Sequence, residues 1–232
     1  MTKNALIVGA GSGISASFAR LLAKDGFQVA LASRDPTRLA GLAAETNCTT
    51  HACDAADPAS VDQLFGEIDR QFPKLDVCLF NASARVPGPI ADVDREQART
   101  ALLISSYGGF LVAQAAARRM LPQKAGTILL TGASASVKGY PHSAVFAMGK
   151  FALRGLAQSM ARELAPQGIH VAHFVIDGGV RNAEKGRVEG ANVTADSYLD
   201  PEAIAASYLH VVHQPRSAWT WEVELRPWVE RF

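Results

Sequence analysis

Short, continuously apolar runs alternate with longer helical patterns along almost the whole chain. The runs Val77–Phe80 and Ile128–Leu130 show no alternation of polar and apolar residues. Strands that are covered on both faces have this composition, whereas a strand with one wet face alternates. The repeated units predict a single doubly wound α/β domain over residues 1–232, with a mostly parallel sheet of about seven strands and helices on both faces.

The patterns place the predicted elements as follows. The predicted strands are Ala5–Val8, Val29–Ala32, Thr49–Ala52, Val77–Phe80, Thr127–Thr131, Val171–Ile176 and Trp219–Leu225. The predicted helices are Ile14–Lys24, Thr37–Glu45, Val61–Phe72, Glu96–Met120, Ala144–Ala165 and Pro201–Val212. Open α/β sheets bind ligands where strands turn into helices at their carboxyl ends, so the loops after the strands are expected to line a site.

The charge of the chain is almost balanced. Of 232 residues, 23 are Lys or Arg and 22 are Asp or Glu, which gives a formal net charge of +1. Such a charge does not attract a polyanion or an acidic membrane surface, so neither nucleic acid nor a membrane is an expected partner. The three cysteines, Cys48, Cys53 and Cys78, form no CxxC pair. They are expected to be reduced thiols, which indicates a cytoplasmic protein.

The stretch Thr100–Ala117 carries no charged residue and is flanked by Arg99 and Arg118. Its serines, tyrosine, glutamine and paired glycines do not suit a span of a lipid bilayer. A helix that is apolar on most sides is instead expected to be buried in the core or at a subunit contact. We therefore expect a homodimer or a homotetramer.

A glycine-rich turn follows the first strand and opens the first helix. Gly9, Gly11 and Gly13 allow backbone amides to approach a diphosphate, whose charge then lies at the N-terminus of the helix. The turn lacks the Gly-Lys-Ser/Thr ending of a triphosphatase P-loop. It therefore predicts a dinucleotide site that also includes Ser12 and Ile14; a tight structural turn is the alternative.

Further motifs accompany this turn. Asn81-Ala82 follows the fourth strand, Lys150 lies on a long helix, and Gly168-Ile169-His170-Val171 follows that helix. Together with the turn, these residues resemble the short-chain dehydrogenase/reductase family over nearly the whole chain. The resemblance implies a Rossmann-type oxidoreductase that acts on a small carbonyl or alcohol substrate. Ser15 stands where the family has its third glycine and is expected to crowd the packing of helix against strand.

The end of the second strand indicates which coenzyme is bound. An acidic residue there would accept hydrogen bonds from the ribose hydroxyls of NAD and repel a 2′-phosphate. The chain instead has Ser33-Arg34, a hydroxyl and a guanidinium suited to a phosphate, which predicts NADP(H). A solvated loop charge is the alternative for Arg34. Asp35 is expected to help start the next helix.

The resemblance implies the remaining contacts with the coenzyme. Asp54 and Ala55 would flank the adenine, and Asn81-Ala82 would pass beside the adenosine ribose. Lys150 would bind the nicotinamide ribose. Gly178 follows the sixth strand, where the family usually has Pro-Gly, and the polar segment 180–199 resembles the family's mobile lid.

The resemblance breaks at the catalytic positions. The family uses Tyr-x-x-x-Lys, in which the phenol gives a proton to the carbonyl oxygen and the lysine lowers the phenol pKa. Lys150 is present, but Phe146 stands four residues earlier and has no exchangeable proton. Ala133 occupies the position of the family's serine, and Ser105 that of its asparagine. Substitute donors are available in this part of the chain: Ser134, Ser136, Tyr140, His142 and Tyr107.

Two functions therefore remain open. The chain is either an NADP(H)-dependent oxidoreductase with a replacement acid, or a non-enzymatic sensor or partner subunit that keeps the dinucleotide pocket. Lys150 fits both, because its ammonium can hold a ribose without chemistry. The histidines form no HExxH motif and no cluster with cysteines or carboxylates, so no metal site is expected.

Overall fold

The computed structural model describes residues 2–190 and 194–230. Seven strands form one sheet in the order β3-β2-β1-β4-β5-β6-β7, and every neighbouring pair is parallel. The predicted doubly wound α/β fold is confirmed, with a sheet that is entirely rather than mostly parallel. The predicted domain span and lid include residues 1, 191–193 and 231–232, which lie outside the described residues. The strands are β1 (Lys3–Val8), β2 (Phe27–Ser33), β3 (Thr49–Ala52), β4 (Val77–Phe80), β5 (Gly126–Thr131), β6 (Ile169–Ile176) and β7 (Glu222–Leu225).

Helices cover both faces of the sheet and separate two hydrophobic clusters. They are α1 (Ile14–Lys24), α2 (Ala40–Thr46), α3 (Pro58–Gln71), α4 (Arg95–Leu102), α5 (Gly108–Gln123), α6 (Ala144–Leu164) and α7 (Pro201–Val212). Side chains of α3, α5 and α6 pack on one face of the sheet, and those of α1 and α7 pack on the other. Because β1, β4, β5 and β6 lie between these clusters, nearly all their residues are buried, which explains their unbroken apolar runs.

Aspartates begin four of the helical segments. The carboxylates of Asp57, Asp94 and Asp200 accept backbone N–H bonds at the starts of α3, α4 and α7. Asp35 accepts the N–H of Thr37, as expected, but the segment that it caps is a 3₁₀ turn over Pro36–Leu39 that precedes α2. The single helix predicted over Thr37–Glu45 is wrong in this respect.

The long helix predicted over Glu96–Met120 is interrupted. Five residues, Leu103–Tyr107, form a π-helical turn between α4 and α5. The combined helix Arg95–Gln123 is long and apolar enough by length and composition to cross a membrane, but half of its most apolar window is buried inside the fold. This burial is what the core-helix interpretation of Thr100–Ala117 predicts.

The winding of the chain reverses beside β1. From β1 the chain continues to β2 on one side, and the later strand β4 pairs with β1 on the other side. At such a switch point the loops after two adjacent strands diverge and leave a crevice at the carboxyl ends. The crevice lies between the loop after Val8 and the loop after Phe80.

Candidate functional site

The glycine-rich turn forms the floor of the crevice. Gly9 has φ of +81°, and a Cβ atom there would lie 2.3 Å from the backbone N of Ala82. Only glycine fits this conformation and this close approach. Gly13 precedes α1 and has no side chain with which to cap it, so no side chain of the cap residue accepts the first amides of that helix. The turn is therefore built to receive an anionic group.

Ser15 makes hydrogen bonds that connect the glycine-rich turn with the loop after β4. Its buried hydroxyl donates to the carbonyl oxygen of Gly9 at 3.3 Å and accepts from Nδ2 of Asn81 at 2.8 Å. The hydroxyl that stands in place of the family's third glycine is thus held by hydrogen bonds from two directions. Asn81 thereby links the loops after β1 and β4.

The crevice opens into a cleft of about 1270 Å³. It is large enough for a coenzyme-sized ligand. Eleven of the predicted coenzyme residues line it: Gly9, Gly11, Ser12, Gly13, Ile14, Ser33, Arg34, Asp54, Ala55, Asn81 and Ala82. Lys150 and Gly178 do not line it; Gly178 packs against Pro227 and Leu199.

The cleft has a polar end beside the carboxyl end of β2. The hydroxyl of Ser33 is buried there without a hydrogen-bond partner among the described residues. Arg34 and Arg38 line the same part of the cleft. Asp35 also lines the cleft, and its Oδ1 accepts the N–H and the hydroxyl of Thr37. A cleft lined by two arginines and a serine whose hydroxyl has no partner among the described residues is suited to a phosphate.

Lys150 is buried at the other end of the site. Its Nζ donates to the carbonyl oxygen of Thr131 at 2.7 Å, at the end of β5. Burial lowers the pKa of this amine to about 7, and the charge of Arg85 contributes to the shift. The ring centroid of Phe146 lies 5.9 Å from the same Nζ. A helical spacing of four residues brings both side chains to one face of α6.

The substitute donors differ in their surroundings. Ser136 is fully buried, and its hydroxyl accepts the N–H of Ala133. Tyr140 is exposed, with Nζ of Lys138 5.6 Å from its ring centroid. His142 is exposed and has φ of +60°. Ser134 opens the 3₁₀ turn Ser134–Ser136 after β5. None of these residues lines the cleft.

Ser105 and Tyr107 belong to the π-helical turn. Ser105 is buried, and its hydroxyl accepts the N–H of Ala84 at 3.0 Å. It therefore fastens the loop after β4 to the long helix. Tyr107 is 40% exposed, and its ring stacks on Phe110.

The described part of the lid segment contacts the glycine-rich turn. Glu184 Oε2 accepts the hydroxyl of Ser12 at 2.6 Å, and Asn182 Nδ2 donates to the same hydroxyl at 3.2 Å. Residues 191–193 of the predicted lid lie outside the described residues. The described part of this segment thus brings a carboxylate to the glycine-rich turn.

The sequence prediction missed several charged residues at the site, among them Arg38, which lines the cleft, and three that come from loops distant in the chain from the glycine-rich turn. Arg85 lies on the loop after β4, and its Cζ is 4.0 Å from the ring centroid of Phe146. Arg187 and Glu184 reach the cleft from the lid. No local pattern marks them, because each approaches the site through a tertiary contact. For Arg85, the sequence offers one indication of a place near the site, namely its position four residues after Asn81 on the same loop.

Comparison with known proteins agrees with this architecture. The family model described as short chain dehydrogenase matches residues 3–185. An uncharacterized oxidoreductase from Staphylococcus aureus is 26% identical over 231 residues, which cover 97% of each chain.

Solved structures extend the comparison. A short-chain dehydrogenase from Rhodopseudomonas palustris is 35% identical, with a TM-score of 0.83 and coverage of 97% of this chain and 99% of its own. An alcohol dehydrogenase from the archaeon Thermococcus sibiricus, complexed with 5-hydroxy-NADP, is 24% identical, with a TM-score of 0.87 and coverage of 100% and 99%. Other solved chains of this fold hold NADP or NAD⁺.

Proposed function

Because the chain belongs to the short-chain dehydrogenase family, we propose that it is an NADP(H)-dependent oxidoreductase that acts on a small carbonyl or alcohol. The observation that carries the proposal is the cleft, which joins the glycine-rich turn to the polar pocket beside β2. Oxidoreductase relatives that match almost the whole chain support the reaction class.

The choice of NADP(H) rests on the residues at the end of β2. The buried hydroxyl of Ser33 lacks a partner among the described residues, and a 2′-phosphate would supply one. Arg34 and Arg38 would add charge-assisted hydrogen bonds. The acidic side chain that follows directly, Asp35, caps the next turn, with its Oδ1 accepting the N–H and the hydroxyl of Thr37.

In the proposed reaction the coenzyme supplies or accepts the hydride. Lys150 would hold the nicotinamide ribose through its ammonium. Phe146 would stand at the position of the family's tyrosine, where it orients the substrate by contact but provides no proton. With a pKa of about 7, Lys150 keeps a proton on Nζ in a large share of molecules near neutral pH. That proton, or one from solvent, would neutralise the developing alkoxide.

A second candidate is a coenzyme-binding protein without turnover. The side chain of Phe146 favours this alternative, because it is apolar and 8% exposed at the point where a proton donor is needed. The binding pocket for the coenzyme is the same in both cases. The two candidates are therefore separated by measuring consumption as well as binding of NADPH.

The coenzyme proposal is tested by calorimetry with Arg34→Ala. We expect NADPH affinity to fall roughly ten- to hundredfold, because a charge-assisted bond to the 2′-phosphate is lost, while NADH affinity stays constant. Arg118→Ala removes an exposed guanidinium far from the cleft and is the matched control. Equal losses for both coenzymes, or no heat with either coenzyme in the native protein, would refute the proposal.

A further inference from the structure

Arg85 presents its guanidinium at the substrate end of the site. Its Cζ lies 4.0 Å from the ring centroid of Phe146, so the planar cation stacks on the aromatic face. The residue is exposed and therefore accessible to a ligand. Within residues 2–190 and 194–230, no carboxylate forms an ion pair with it.

Positive charge gathers around this ring, and none of the ion pairs of the described residues brings a carboxylate to Arg85. Lys150 Nζ lies 5.9 Å from the same ring centroid, and Arg187 is close enough to lower the pKa of Arg85, after the larger effect of desolvation. Two acidic residues, Asp177 on the loop after β6 and Glu184 on segment 180–190, have other partners. Asp177 pairs with Lys138 and Arg226, and Glu184 accepts the hydroxyl of Ser12. Like charges that gather without counterions raise the free energy of the empty site, and an anionic ligand relieves that cost.

The phosphates of the coenzyme are not suitable counterions for Arg85. The glycine-rich turn and Arg34 line the cleft that would hold them, and Arg85 does not line that cleft. It lies instead against Phe146, which the proposed function puts beside the reacting carbon. The ligand that meets Arg85 is therefore the substrate.

We propose that Arg85, stacked on Phe146, is a recognition site for an anionic oxyacid group, a carboxylate or a phosphoryl group, on the carbonyl substrate. A guanidinium that stacks through its face keeps the N–H donors at its edge free for a bidentate bond to such a group. The inference rests on the proposed oxidoreductase function and names its substrate class. Neutral ketones lack the group and would leave Arg85 unpaired.

Calorimetry on the protein saturated with NADP⁺ or NADPH tests the inference. The probes are short and aromatic 2-oxo, 3-oxo and 4-oxo acids, each paired with its neutral methyl ester. A second arm pairs dihydroxyacetone phosphate with dihydroxyacetone. We expect at least one anionic probe to bind roughly ten- to hundredfold more tightly than its neutral partner. A preference among the oxo acids identifies the recognised group as a carboxylate, and a preference for dihydroxyacetone phosphate identifies it as a phosphoryl group.

Two variants separate this site from general charge effects. Arg85→Gln should abolish the preference for the anionic probe and leave NADPH affinity unchanged, which also shows that the variant is folded. Arg118→Gln removes an exposed charge elsewhere and should keep the preference. The inference is overturned if the preference survives in Arg85→Gln or if no probe pair of the native protein shows it. Either result leaves the proposed function standing. Failure of the native protein to bind NADPH overturns the proposed function as well.

Discussion

At the scale of single residues, the unusual feature is a lysine that is buried with one hydrogen-bond acceptor. Lys150 is 3% exposed, and its ammonium contacts the carbonyl oxygen of Thr131. Such a charge is costly to bury, so its pKa falls to about 7. In the folded protein the charge of Lys150 therefore changes close to neutral pH. A coenzyme that brings negative charge would favour the protonated form.

The lowered pKa of Lys150 makes stability depend on pH. Below about pH 7 the amine is charged in both states; between about 7 and its usual 10.5, only the unfolded chain binds the proton. The free energy of unfolding should therefore rise with pH in this window, by at most about 1.4 kcal/mol per pH unit. Lys150→Met should lack this contribution. Denaturant unfolding of both apoproteins across the window measures the difference, and parallel pH profiles would contradict it.

Phe146→Tyr adds the phenol that the family's reaction uses. We expect it to raise turnover of NADPH with an accepted carbonyl by about a hundredfold, the lower range of what a positioned acid contributes. Ile90→Tyr adds the same phenol to a residue that is 77% exposed on the loop before α4 and should leave turnover unchanged. An unchanged rate in Phe146→Tyr would mean that the native protein takes its proton from another group.

At the scale of elements, a carboxylate of the predicted lid lies at the glycine-rich turn, close to where the diphosphate of a coenzyme would bind. The carboxylate of Glu184 accepts the hydroxyl of Ser12 beside the amides that precede α1. A diphosphate at those amides would lie next to this carboxylate, and like charges at such a distance repel. Coenzyme binding would therefore require the lid to release Ser12.

Glu184→Gln tests this repulsion. The amide keeps the size of the side chain and removes its charge, so we expect NADPH to bind several-fold more tightly, with the change mainly at low ionic strength. Glu189→Gln removes the same charge from an exposed position of the same segment and controls for net charge. Calorimetry at two salt concentrations measures the NADPH affinity of the native protein and of both variants. Weaker binding in Glu184→Gln would mean that Glu184 assists the coenzyme instead.

The elements that sequence predicts well are those with a local cause. Burial on both faces requires apolar residues in β1, β4 and β6, so the residue types of these strands indicate it directly. The glycines of the first turn indicate its backbone geometry in the same way. The π-helical turn at Leu103–Tyr107, the hydrogen bonds of Ser15 and the stacking of Arg85 depend on partners that are distant in the chain. Periodicity and composition carry no information about these contacts.

At the scale of the whole molecule, one face of the fold exposes aromatic and apolar side chains. Tyr107 and Phe110 are each 40% exposed beside α5, and Met148 and Phe151 are 56% and 45% exposed on α6. The two helices pack closely, because Cβ atoms at Gly109 and Gly149 would contact Leu153 and Ser105. An apolar face of this kind is typical of a subunit interface. We propose that it mediates the homodimer or homotetramer expected from the sequence.

Phe151→Glu should dissociate the assembly that this face forms. A carboxylate buried at the centre of an apolar interface lacks a partner, so its desolvation opposes association by several kcal/mol. Ile90→Glu adds the same charge to a residue that is 77% exposed on the loop before α4 and should keep the native assembly. Multi-angle light scattering of the native protein and both variants gives the masses. The interface would be refuted by a native protein that is monomeric at micromolar concentration, or by a Phe151→Glu variant of unchanged mass. A monomeric variant that still binds NADPH would support the interface. It would also show that the cleft is complete within one chain.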